Sequence, residues 1–170
     1  MNASFTPAEL RNAFTLLSST ALIRLISEID DNGPIPPRRL AGTLHDLSAH
    51  RLRRATDAAR AHALVRVGPG VGLELTTSGA ELADIYDAMA RWARRHAYPT
   101  PICDFTTRLQ HTLALLAPML GADPAEGSQR RAGESPPEPD ADLGLARALL
   151  AQWLNVNPQV TLLPEPEHVA

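Results

Sequence analysis

Residues 47–82 read LSAHRLRRATDAARAHALVRVGPGVGLELTTSGAEL, and this stretch decides how the rest of the chain is read. Its first part is helical. Leu52, Ala55, Thr56, Ala59 and Ala63 recur at the spacing of an inward stripe, and Ser48 is placed to cap the start. At about 100° per residue, His50, Arg53, Arg54 and Asp57 fall on the opposite face, flanked by Arg51 and Arg60. Residues 64–67 and 73–75 then read as two antiparallel strands around Gly68-Pro69-Gly70-Val71-Gly72. Thr76 caps a further helix expected to reach about Ala97, with Leu82, Ile85, Tyr86, Met89, Trp92, Ala93 and His96 in one apolar stripe.

Upstream, Thr6-Pro7 is a helix start: a hydroxyl cap, then a proline where a missing N–H is harmless. Leu10, Phe14, Leu17, Ala21, Leu25 and Ile29 follow at helical spacing, with a break predicted near Ser18-Ser19. Asn32-Gly33-Pro34 ends that run, Ile35 reads as a short strand, and a short helix is expected over 37–44. Downstream, 102–120 reads as a helix with Pro118 placed to kink or end it. Residues 121–142 are rich in Pro, Gly, Ser and acids and read as a disordered linker. A last amphipathic helix is expected over 143–154, followed by a proline-punctuated tail. The resulting division is 1–98, 99–120, 121–142 and 143–170, and the fold class is mainly α with a small β-wing plus C-terminal helices.

Composition limits what this fold can be. Apolar residues make up 44% of the chain but aromatics only 4%, so the core rests on Ala, Leu, Ile and Val in close-packed helices. The net charge of -3 conceals an asymmetry. From Arg38 to Arg66, seven arginines face only Asp46 and Asp57, whereas 101–170 holds four arginines and nine acids. Local charge, not the average, sets the field that a polyanion meets. The single cysteine, Cys103, excludes an intramolecular disulfide. No apolar run approaches the roughly 20 residues of a membrane span, no secretory leader is read, and the expected location is cytoplasmic. His45, His50 and His62 lack metal-ligand spacing and read as surface groups. No nucleophile elbow or phosphate-binding glycine loop occurs, so neither a metal, a cofactor nor an enzymatic role is expected.

Two helices over 37–44 and 48–63, followed by a glycine-tipped hairpin, form the pattern of a winged helix-turn-helix. In that arrangement Arg53 and Arg54 reach guanine edges, and His50 meets a base or a phosphate. Ser48 stands at the cap, Arg38, Arg39, Arg51 and Arg60 clamp phosphates, and Arg66 reaches the backbone from the wing.

Residues 10–98 resemble the HxlR-type family of winged-helix regulators, within the wider MarR-like group. The most specific piece is LELTTSGAELADIYDAMARWARRHA, which is similar to that family's second wing strand, its Leu-Thr-x-x-Gly-x-x-Leu helix opening and a later tryptophan. Leu75, Thr76, Gly79, Leu82 and Trp92 stand at those positions. Ala63 replaces the glycine that usually ends the family's recognition helix, and Thr56 and Ala59 replace buried leucines. The resemblance implies a DNA-binding repressor acting on double-stranded DNA as a homodimer. Pairing would run through Leu10, Phe14 and Leu17 of the first helix and Leu82, Ile85, Tyr86, Met89 and Trp92 of the helix after the wing. Redox sensing by an N-terminal cysteine is not implied, because none is present.

Two other readings are compatible with these residues. One is a sensor of a small apolar or aromatic effector, held between the N-terminal and C-terminal helices near Phe14, Tyr86, Trp92, Phe105 and Trp153. The other is a protein-interaction module of the same fold that has lost DNA binding.

Overall fold

Thr6 and Ser19 set the first two helices. The Thr6 hydroxyl accepts from Glu9 N at 3.2 Å while the Glu9 carboxylate accepts from Thr6 N at 2.7 Å, closing a reciprocal cap on α1 (Pro7–Leu17). Ser19 caps α2 (Thr20–Asn32), so the expected break at Ser18-Ser19 is present. The computed structural model describes residues 4–121 and 139–162. After α2 come a 3-10 turn (Pro37–Arg39), α3 (Leu40–Thr43), α4 (Ala49–Ala61), β1 (Val65–Gly68), β2 (Gly72–Leu75), α5 (Thr77–Arg95), α6 (Phe105–Gly121), α7 (Pro139–Val156) and a closing 3-10 turn (Pro158–Val160). The described chain is thus mostly helical with one small antiparallel sheet.

Four features differ from expectation. The helix expected over 37–44 is split, its first turn being 3-10 before α3 begins at Leu40. Helix α6 starts at Phe105 rather than 102, because the Asp104 carboxylate accepts from Thr107 N at 2.9 Å and acts as the cap. Pro118 does not end α6, which continues through Gly121. Helix α7 begins at Pro139, four residues before the expected start. The expected disordered linker therefore loses its C-terminal end to α7, and its part over 122–138 lies outside the described residues.

The hairpin pairs Val65 with Leu75 and Gly68 with Gly72, and Ile35 bridges to Leu73 as a third short strand contact. Gly72 sits at φ 100°, and a Cβ there would meet the Ile35 backbone. Gly79 is tighter still: a Cβ would overlap the Leu64 carbonyl oxygen, so the first turn of α5 lies directly on the root of the hairpin. Thr76 locks this junction, accepting from Gly79 N at 3.1 Å and donating to Ala63 O at 2.6 Å.

Helix α5 is the axis of the core. Helices α2, α6 and α7 all pack on it, and its buried residues include Leu82, Ile85, Tyr86, Met89, Ala90 and Trp92. The residues through which the resemblance implied pairing lie in or beside this core. Leu10, Leu17, Leu82, Ile85, Tyr86, Met89 and Trp92 are buried within one chain, and Phe14 is half-buried. A wide apolar stripe states that it will be covered, not by what; here α6 and α7 supply the cover. Tyr86 illustrates the closure, its hydroxyl donating to Leu17 O at 2.7 Å, and burial pushes its pKa well above the ordinary phenol value. Among the described residues no helix is long and apolar enough to cross a membrane.

Candidate nucleic-acid interface

The polar face of α4 is built by its inward one. Leu52, Ala55 and Ala59 are buried against α2 and β1, and Leu44 and Leu47 are buried in the chain that enters the helix. With that side fixed, the 3.6-residue period puts His50, Arg51, Arg53, Arg54 and Arg60 outside, and all five are exposed. The Ser48 hydroxyl accepts from Arg51 N at 3.3 Å, so Ser48 is occupied as the cap although it remains exposed. Arg38 and Arg39 are exposed on the 3-10 turn that leads into α3.

Charge pairing separates these arginines. Among the described residues, Arg38, Arg39, Arg51, Arg53, Arg54 and Arg60 take part in no ion pair, and their side chains make no hydrogen bond. Asp57 is the only acid in α4. Arg66 is different: its Nε lies 2.7 Å from Glu74 Oε1. The two residues are direct cross-strand partners, and opposite charges at such positions attract. The hairpin arginine is thus held on its own strand pair, and the tip beyond it carries Val67 and Val71 exposed instead of further cations.

Several groups that position this face were not evident from sequence. Arg24 on α2 grips Asp46 with two bonds, Nη2 to Oδ1 at 2.9 Å and Nε to Oδ2 at 3.2 Å, tying α2 to the turn before Ser48. The guanidinium holds the Asp46 carboxyl below the ordinary carboxylate range. His62, expected at the surface, is half-buried at the end of α4 and bonded to Gln159. Close by, Ser78 Oγ donates to Asn157 Oδ1 at 2.6 Å and Trp153 Nε1 donates to Ser78 O at 3.0 Å. The signal for the Arg66–Glu74 pair lay in the hairpin register; the contacts to 153–159 had no local signal.

Of the aromatic residues expected near an effector, Tyr86, Trp92 and Trp153 are buried in the core, while Phe14 and Phe105 line open grooves. No protein-family model, no curated protein and no solved structure matches this chain. Exposed guanidinium groups without carboxylate partners are chemically complementary to phosphate and to the paired acceptors of a guanine edge.

Proposed function

We propose that this chain is a winged helix-turn-helix protein that binds double-stranded DNA and regulates transcription, with α4 as the recognition helix. One observation carries the reading: six exposed arginines on the 3-10 turn and α4 have no carboxylate partner among the described residues. Here the cations stand open on the one helix whose length and position after a short turn suit a major groove of about 12 Å. Arg53 and Arg54 are assigned to base edges, and His50 to a base or a phosphate. Arg38, Arg39, Arg51 and Arg60 are assigned to phosphates. Arg66 takes a smaller part, because Glu74 already neutralises it. The proposed regulator acts as a homodimeric repressor, as the resemblance implies.

The test is fluorescence anisotropy with a labelled duplex from the region upstream of the chain's own gene, competed by scrambled duplex and repeated across a salt series. Specific binding that weakens steeply with salt is expected, because each neutralised phosphate releases counterions. Absence of binding to any duplex at low salt would reject the reading in favour of a protein-interaction module.

A further inference from the structure

A groove of about 620 Å³ runs between α1 and α6, on elements that the proposed DNA contacts do not use. Leu10 and Phe14 form one wall and Leu113, Ala114 and Ala117 the other, recurring every three or four residues on each helix. The two helices run antiparallel: Gly121 lies against Leu10, and at the other end Gln110 Nε2 donates to Ser18 O at 2.9 Å. The lining extends over 7–18 and 110–121, about 16 Å of helix. It is thus a long apolar trough, of a volume ordinary for ligand sites.

Polar chemistry in the trough is one-sided. Gln110 also donates to Thr20 Oγ1, so its amide N–H groups are engaged. Among the described residues Arg11 is the only charged one of the lining; it is exposed, and its side chain makes no hydrogen bond and no ion pair there. A lone cation at the rim of an apolar channel is complementary to one negative charge on an apolar body.

We propose that this groove binds an amphipathic monocarboxylate with a flexible alkyl chain. The chain lies along the Leu10–Phe14–Leu113 floor and the carboxylate pairs with Arg11. The elongated shape favours a chain over a compact ring. The site stands independently of DNA binding, although Gln110 links it to Thr20 at the head of α2, which packs on α4.

The test is calorimetric titration of the full chain with decanoate, decanol and decylamine. Decanoate is expected to bind more tightly than decanol and much more tightly than decylamine. Arg11→Gln should weaken decanoate by about fivefold, the scale of an exposed ion pair, without altering decanol. Ala114→Trp should abolish decanoate binding by filling the trough, with circular dichroism unchanged. If the tryptophan perturbs folding, Arg11→Gln alone decides, since that side chain has no structural bond to lose. Decylamine binding as well as decanoate, or an Arg11→Gln variant with unaltered decanoate affinity, overturns the proposal. So does sedimentation showing that Ala114→Trp splits a dimer, which would make the groove a contact between copies of the chain.

Discussion

His62 and Gln159 hold each other at both ends: His62 Nδ1 lies 3.0 Å from Gln159 O, and Gln159 Nε2 donates to His62 O at 3.2 Å. The end of the arginine-bearing helix is thereby tied to a segment almost a hundred residues away. Gln159 also donates to Asn157 Oδ1, itself bonded to Ser78. Gln159→Ala should therefore lower stability by about 1–2 kcal/mol through lost, part-buried hydrogen bonds. The drop should appear in the urea midpoint with the slope unchanged. An unchanged midpoint would show that water replaces these contacts at no cost.

Ala63 lies at φ 56°, in the left-handed region, with Leu64 N donating to Ala59 O at 2.8 Å across the helix end. A glycine there removes the steric penalty of the Cβ. Ala63→Gly should stabilise the chain by about 1 kcal/mol and raise Tm by about 2–4 °C. Gly79→Ala should do the reverse, at about 1–3 kcal/mol, because its Cβ has no space beside the Leu64 carbonyl. Thermal melts of the two variants shifting in the same direction would contradict one of the two assignments.

Arg108 is buried in α6 without a carboxylate among the described residues. Its guanidinium donates to Pro101 O at 2.9 Å and Tyr98 O at 3.0 Å, with longer bonds to Cys103 O and Ala93 O. It fastens the chain between α5 and α6 with three carbonyl contacts and reaches α5 itself through Ala93 O. Arg108→Met should cost about 2–4 kcal/mol, since the carbonyls lose a charged donor. Arg108→Lys should recover little, because an ammonium cannot span the same fork of acceptors. Denaturant titration of both variants checks the order.

Under the DNA-binding proposal, Arg53→Ala and Arg54→Ala should each weaken specific binding by about 1–3 kcal/mol and relax selection at one base position. Arg60→Ala should weaken all duplexes alike and reduce the salt slope by about one. Arg66→Ala should do least, because Glu74 holds that guanidinium. Anisotropy titrations against single-base variants of one site distinguish the three patterns. Equal effects from all four substitutions would remove the assigned roles.

Asp104 accepts from Thr107 N at 2.9 Å and Thr107 Oγ1 at 2.7 Å, which holds its carboxyl below the ordinary aspartate value of 3.8. A folded pKa below the unfolded one stabilises fully above the ordinary value, and the contribution is lost as pH falls through the lowered value. Asp46 beside Arg24 and Glu9 beside Thr6 act with the same sign. Asp30 opposes them, its carboxyl raised by burial and by Asp87, Asp31 and Asp84. Stability should fall on acidification below the ordinary carboxylate range, and less steeply in Asp104→Ala. Urea midpoints measured over a pH series would refute this if variant and parent ran parallel.

Local chemistry made much of this molecule legible from sequence alone. Caps at Thr6, Ser48 and Thr76, the break at Ser18-Ser19, the hairpin around Gly70 and the outward arginines of α4 follow from hydrogen bonds and periodicities only a few residues long. The split of the 37–44 helix and the later start of α6 are small departures set by the same short-range forces. Tertiary structure alone decided what covers each apolar face and what neutralises each charge. The α5 stripe meets α6 and α7, Arg66 meets Glu74, and His62 meets Gln159. Apolar burial has no direction, and a polar group takes whichever partner the fold brings within about 3 Å. Neither can be assigned until distant segments are placed side by side.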